Sequence, residues 1–288
     1  MEQEVPTGLS EEQWAEFWKQ GFLPLGRVLT DEQLEELRER IDAIMLGKIQ
    51  YDDLLMQLDP GGDYGSTVQS EQTVGWKGAT RDYRKIGDAG QGLEKDDLFF
   101  KFMGIPLFKH LCAGVYGPHA DIACYRAMLM NKPGKKGTNL PWHQDGGEWW
   151  GLDRDPLIFV WVALDPASQG NGCVQVIEGS HKLGLLSRRG HTLTEEQIQK
   201  HCDETKLRDL ELAPGHAVLC HNFLIHRSGV NNTEQPRRGF SVNFIDARTV
   251  VKTPLGPCGK PGQSFPLLFR GTLGDPAAAA AAASQEGQ

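Results

Sequence analysis

The sequence predicts a mainly β fold with flanking helices, an antiparallel sandwich or jelly roll, and three observations predict it. After residue 117 the chain is a series of short β-rich runs: Ile122 to Met130, Leu157 to Leu164, Cys173 to Ile177, Ala217 to Cys220 and Phe240 to Ile245. Gly, Asn, Pro and Asp clusters separate these runs, and most pairs have no helical pattern between them. The amphipathic helical patterns fall mainly in the first half, so helices flank the strands instead of alternating with them.

Three segments share one helix-start signature: Leu9-Ser10-Glu11-Glu12-Gln13-Trp14, Leu29-Thr30-Asp31-Glu32-Gln33-Leu34 and Leu193-Thr194-Glu195-Glu196-Gln197-Ile198. In each, the Ser or Thr hydroxyl can accept from the backbone N–H three residues on while the Gln side chain reaches back. From Asp31, the residues Leu34, Leu37, Ile41 and Ile44 form one buried stripe that stops near Gly47. Phe22-Leu23-Pro24-Leu25 reads as an edge strand, since Pro24 cannot donate to a central ladder. Residues 50–90 are polar and Gly-rich, the profile of a covering loop. Asp97 to Cys112 reads as helix despite Pro106, with Phe99, Phe100, Phe102, Met103, Leu107 and Phe108 as core. The segment 180–212 reads as a helical insertion over one mouth of the barrel, and 276–288 as a low-complexity tail. One domain over 1–275 is expected: N-terminal helices 10–46, the loop, and a β core over 117–250.

The 288 residues carry a formal net charge of -8, which argues against nucleic acid or an anionic membrane as the main partner. No run of eighteen apolar residues is present. Six cysteines are scattered with no Cys-x-x-Cys pair, the usage of a reducing compartment, and a cytoplasmic location is expected.

The chemistry centres on Pro141-Trp142-His143-Gln144-Asp145. Residues two apart on a strand share a face, so His143 and Asp145 can aim an imidazole nitrogen and a carboxylate oxygen at one metal ion. Two other His-x-Asp pairs exist. His201 and Asp203 end a helical segment, where residues two apart point about 200° apart. His119 and Asp121 straddle a turn and a strand start. A third ligand must come from a distant histidine; His221 and His226 are the rivals, and His181 reads as a loop residue fixing backbone. Two imidazoles and one carboxylate on one side of an ion suit an Fe(II) centre that binds dioxygen and a bidentate co-substrate on its open side. Arg237 shares a strand face with Ser241 and Asn243, opposite Arg238, Phe240, Val242 and Phe244. A guanidinium held inside a barrel needs an anionic partner, and a dicarboxylic 2-oxo acid fits.

Gly117-Pro118, Ile122 to Met130-Asn131-Lys132-Pro133, Trp142-His143-Gln144-Asp145, Asn171-Gly172-Cys173, Glu178-Gly179-Ser180-His181-Lys182, Pro214-Gly215 and His226 followed by Arg237 are similar to the motifs of the phytanoyl-CoA dioxygenase family of Fe(II)- and 2-oxoglutarate-dependent oxygenases. The resemblance extends from the first helix to about Asp246. It implies a double-stranded β-helix, iron held by His143, Asp145 and His226, and Arg237 on the C5 carboxylate of 2-oxoglutarate. It also implies Lys85, Met128, Trp161 and Ser228 around the co-substrate. Related halogenases lack the ligand carboxylate, so Asp145 favours hydroxylation.

The expected reaction is hydroxylation of a C–H bond in a small-molecule substrate, with 2-oxoglutarate decarboxylated to succinate. Glu148, Trp149 and Trp150 follow the ligand pair and are expected at the substrate mouth, while Lys132-Pro133-Gly134-Lys135-Lys136 reads as a solvated basic loop. Two other classes share these features: a cupin-like metal-dependent isomerase and a non-catalytic jelly-roll binding module.

Overall fold

Local capping fixes where the helices begin. In a computed structural model that describes residues 5–59, 62–63, 75–187, 192–253 and 260–271, helix α1 spans Glu11–Gln20 and α2 spans Asp31–Met45. Both start on complete capping boxes, Ser10 with Gln13 and Thr30 with Gln33. Between them runs β1 (Phe22–Arg27), an edge strand as Pro24 requires. The stripe Leu34, Leu37, Ile41 and Ile44 is buried.

Residues 50–90 depart from the expected covering loop. Strands β2 (Met56–Leu58), β3 (Gly62–Asp63) and β4 (Tyr83–Ile86) lie in this segment, and β2 and β4 extend the large sheet. They escape a pattern search because they are short, and all four residues of β4 are buried, which erases the period-2 alternation. Residues 60–61 and 64–74 lie outside the described residues. The helical stretch after it is two helices, α3 (Asp97–Met103) and α4 (Pro106–Tyr116), because Pro106 takes the first-turn position of a new helix. Phe100 is exposed, while Phe99, Phe102, Met103, Leu107 and Phe108 are core.

The remaining strands are β5 (Ile122–Lys132), β6 (Thr138–His143), β7 (Ile158–Ala163), β8 (Val174–Ile177), β9 (Leu207–Leu210), β10 (His216–His221), β11 (His226–Ser228), β12 (Arg237–Asp246) and β13 (Leu267–Phe269), with helix α5 (Glu195–His201) between β8 and β9. They form two sheets. The larger runs β1-β10-β7-β12-β5-β4-β2, with β13 also on β5; the smaller runs β3-β6-β11-β8-β9. Every pairing between named strands is antiparallel except β3 with β6. The architecture is the expected jelly roll.

Two apolar layers hold it. Helices α1 to α4 pack on the outer face of the large sheet through Phe17, Leu37, Phe99, Phe108, Phe240, Val242 and Phe244. Phe159, Trp161 and Val218 of the large sheet meet Val176 and Leu210 of the small one between the sheets. No single helix among the described residues is long and apolar enough to cross a membrane; the bent pair α3–α4 has the composition, but most of its apolar side chains, Phe100 excepted, pack in or against this core.

The 180–212 insertion is not helical throughout. Its end forms β9, antiparallel to β8, where Leu-Arg-Asp-Leu is half exposed and reads as polar. Thr192 bridges to His143, and Leu193 N–H donates to Trp142 O at 2.9 Å, so the insertion runs along β6. Residues 188–191 and the tail from 272 lie outside the described residues.

Candidate metal centre and its cavity

His143 ends β6, and Asp145 lies beyond the strand, not on it as expected. The chain turns there because Gln144 is pinned: its Nε2 donates to Phe223 O (2.7 Å) and Gly184 O (2.9 Å), and its Oε1 accepts from Leu186 N (2.7 Å). Asp145 N–H then donates to Asn222 O at 2.9 Å. Gly146 follows at φ 141°, a conformation open to glycine, and Gly147 N donates to Asp155 Oδ1 at 2.7 Å.

Strand β11 pairs with β6 so that His226 stands directly opposite His143. Their ring centroids are 3.9 Å apart. His143 Nδ1 lies 2.8 Å from Pro141 O, and His226 Nδ1 lies 2.9 Å from Leu224 O. A carbonyl oxygen only accepts, so both Nδ1 atoms carry the proton and both Nε2 lone pairs are left for a metal. His143, Asp145 and His226 offer ligand atoms all within 4.8 Å of one another. The other His-x-Asp pairs have structural work: Asp121 accepts from Arg270 Nη1 and Gly271 N at 2.9 Å, and Asp203 caps the turn after α5 by accepting from Thr205 N at 3.0 Å.

The rival His221 ends β10 away from this cluster. Its ring faces His181 (5.1 Å), Phe223 (5.3 Å) and Trp18 (6.3 Å), and its Nδ1 accepts from Phe223 N at 3.0 Å. Burial, and secondarily His181, push its pKa down to about 4. His181 Nε2 donates to Trp18 O at 3.1 Å, the backbone-fixing part expected of it.

The three candidate ligands open into a cavity between the sheets that is also lined by Lys85, Met128, Trp161, Ser228 and Arg237. Trp161 lies flat over Gly239, where any Cβ would come within 2.1 Å of the indole. Arg237 is 3% exposed. Its Nη2 donates to Gly172 O at 3.0 Å and its guanidinium lies 5.3 Å from the Trp161 ring centroid, while Nε is buried with no hydrogen-bond partner among the described residues. Burial lowers its pKa to about 10, so it stays charged at neutral pH. Lys132, expected in a solvated loop, is instead the buried last residue of β5, opposite Arg237 in the ladder, with Nζ donating to Thr138 O at 2.7 Å. Burial, then Arg237, hold its pKa well below the usual lysine value. Lys85 pairs with Asp88, and burial lowers its pKa to about 8. Burial would raise the Asp88 carboxyl, but Arg126 and Lys85 together hold it low.

Glu148, Trp149 and Trp150 form a short helical turn and do not line the cavity. Glu148 and Trp149 point outward, and Trp150 stacks on Tyr125 at 4.9 Å because the Gly146-Gly147 turn carries the segment past the rim. Arg126 does line the cavity, and residue-by-residue reading missed it. Its signal was a lone charge inside the apolar run Ile122 to Met130.

With this geometry in place, comparison with known proteins is decisive for the family. The sequence profile of the phytanoyl-CoA dioxygenase family matches residues 17–239. The chain belongs to that family. Among phytanoyl-CoA dioxygenase relatives, the probable enzyme of Caenorhabditis elegans is 26% identical over 248 residues, covering 83% of this chain and 76% of its own. The human peroxisomal phytanoyl-CoA dioxygenase is 27% identical over 249 residues, covering 83% and 69%. The crystal structure of EctD from S. alaskensis with 2-oxoglutarate and 5-hydroxyectoine shares the fold, with TM-score 0.68, 18% identity and coverage of 91% of this chain and 87% of that one. The span matched by the phytanoyl-CoA dioxygenase profile contains His143, Asp145, His226 and Arg237.

Proposed function

We propose that the chain is an Fe(II)- and 2-oxoglutarate-dependent dioxygenase that hydroxylates a C–H bond of a small organic substrate and converts 2-oxoglutarate to succinate. One observation carries the reading: His143, Asp145 and His226 converge at a cavity that also holds a buried guanidinium with an unsatisfied N–H. The donor set fits Fe(II), because two neutral imidazoles in a fixed tautomer and one carboxylate leave the opposite side of the ion open. The cavity fits 2-oxoglutarate, because Arg237 presents a desolvated cation to a distal carboxylate. Iron, 2-oxoglutarate and dioxygen together supply the oxidant, releasing succinate and carbon dioxide.

The protein's own part is positioning. Pro141 O and Leu224 O orient the imidazoles through their Nδ1 protons. Gln144 and Asn222 hold the turn that presents the Asp145 carboxylate. Trp161 supports the Arg237 guanidinium, Met128 and Ser228 complete the co-substrate wall, and Lys85 adds a second cation. With iron bound, the Asp145 carboxylate would take the place that a halide needs in related halogenases, which favours hydroxylation over halogenation.

A cupin-like isomerase has no use for Arg237, whose buried Nε donor would then be a cost of about 1–3 kcal/mol without return, and a non-catalytic binding module would tolerate loss of any single ligand. The phytanoyl-CoA dioxygenase relatives share the family; this chain's substrate is a separate matter. We place the enzyme in the cytoplasm on the scattered free cysteines, although relatives include peroxisomal proteins, and read residues 1–275 as one domain. The test is succinate release from 2-oxoglutarate. Formation that requires both Fe(II) and dioxygen supports the reading; none under any substrate tested, with the folded protein and iron present, contradicts it.

A further inference from the structure

Resting on the dioxygenase reading above, we infer that the hydroxylated substrate is a free acid, with its anionic group a few bonds from the oxidised carbon and held by Arg126. Three observations carry this.

The first is a β-bulge that turns Arg126 inward. Ile122 and Cys124 face the helix-side core, and so do Ala127 and Leu129. Strict alternation from Cys124 would send Arg126 into that same core. Instead the β5–β12 register steps from Asn243 opposite Arg126 to Phe244 opposite Cys124, skipping Tyr125. The extra residue resets the alternation, and Arg126, Met128, Met130 and Lys132 all line the cavity.

The second is that the guanidinium is held ready. Its Nε lies 2.9 Å from Asp88 Oδ1, its side chain is 12% exposed, and its Cζ stands 4.8 Å from the Trp150 ring centroid and 6.0 Å from that of Tyr125. Lys85 draws on the same carboxylate, so Asp88 is shared between two cations. Burial on a stacked aromatic fixes the fork before a ligand arrives.

The third is its level in the barrel. Arg126 is in register with Asn243, and Asn243 with Phe159, whose ring is 5.6 Å from that of His226. Strands β5 and β7 are two spacings apart, about 10 Å, a gap that an arginine side chain largely spans. Arg237 lies further along β12, about 20 Å from Asn243 at roughly 3.3 Å per residue. Arg126 is therefore at the metal end of the cavity, while Arg237 is at the end given to the distal carboxylate of 2-oxoglutarate.

A fork beside the reacting carbon matches a carboxylate or a phosphonate. A thioester or amide carbonyl is a neutral acceptor that can take a single hydrogen bond but offers the fork neither a charge nor a bidentate match, and the phosphates of a coenzyme A thioester lie a whole pantetheine arm from the acyl carbons. Free acids are thus the expected class, and their neutral derivatives are disfavoured.

The experiment uses the anaerobic Fe(II) protein with 2-oxoglutarate. Straight-chain C4 to C12 carboxylates and alkylphosphonates of the same lengths are titrated beside the matching primary amides and N-acetylcysteamine thioesters. Binding is read from the change in visible absorption of the iron–2-oxoglutarate complex. At least one acid should bind tenfold or more tightly than its amide and thioester, and comparison of the two acid series identifies which anion is preferred. Arg126→Gln should erase that preference and Arg126→Lys should keep part of it, with the 2-oxoglutarate Kd changing less than twofold in both. Equal binding of acids and neutral partners, no acid binding at all, or a tenfold loss of 2-oxoglutarate affinity in Arg126→Gln overturns the inference. The wild-type acid-to-amide ratio decides the substrate class even if the glutamine variant does not fold. Failure of the wild type to bind 2-oxoglutarate in an iron-dependent manner would instead remove the dioxygenase reading itself.

Discussion

His143 and His226 face each other across the β6–β11 ladder with ring centroids 3.9 Å apart, each locked by a carbonyl on its Nδ1 side. Removing either leaves too few donors for tight Fe(II) binding. We expect His226→Ala to lose bound iron and His221→Ala to keep it, read as iron content after gel filtration. The reverse pattern would give the third ligand to His221.

Arg237 is buried with one N–H that no described residue satisfies, and the proposed 2-oxoglutarate carboxylate would supply its partner. Arg237→Ala should weaken 2-oxoglutarate binding at least tenfold, a loss of about 1.4 kcal/mol or more, while iron stays bound. Calorimetric titration of the anaerobic iron protein checks this. Unchanged affinity would take Arg237 out of the site.

Acid should destabilise the fold through His221. Its folded pKa of about 4 lies below its ordinary 6.5, with burial as the main cause. The unfolded chain then binds more protons between those values, so stability is full above about pH 6.5 and falls as pH drops toward 4. The contribution is on the order of 2–3 kcal/mol. His221→Asn should show a flatter decline in urea midpoint from pH 7 to pH 5 than the wild type; parallel declines would contradict the assignment.

Phe240 is fully buried, with its ring 4.9 Å from that of Phe99 and 6.0 Å from that of Phe102. It joins the large sheet to α3. Phe240→Ala should cost roughly 3–5 kcal/mol by transfer and cavity terms. Chemical denaturation measures it, and a loss under 1 kcal/mol would mean that the core collapses around the gap.

What the sequence made legible depended on how local the signal was. Capping boxes involve residues three apart, so all three helix starts stood out at Ser10, Thr30 and Thr194. Strand β7 was readable because it lies between two apolar layers and every residue is buried. Strand β11 was not, because it is three residues long and begins with a histidine, the candidate ligand His226; β6 contains Pro141, and β9 is half polar. The metal cluster was half legible. His143 and Asp145 announced themselves by spacing, but their shared direction comes from a turn that Gln144 braces, not from strand alternation. The choice of His226 over His221 needed the β6–β11 register, a non-local fact. Trp150 was expected at the mouth and instead supports Arg126, which only the bulge at Tyr125 turns inward.

The most direct test is an anaerobic crystal soaked with Fe(II) and 2-oxoglutarate, with anomalous scattering recorded at the iron edge. The account expects one peak bounded by His143 Nε2, Asp145 and His226 Nε2, with the diacid running from it to Arg237. An iron peak elsewhere, or a diacid that does not reach Arg237, would contradict it.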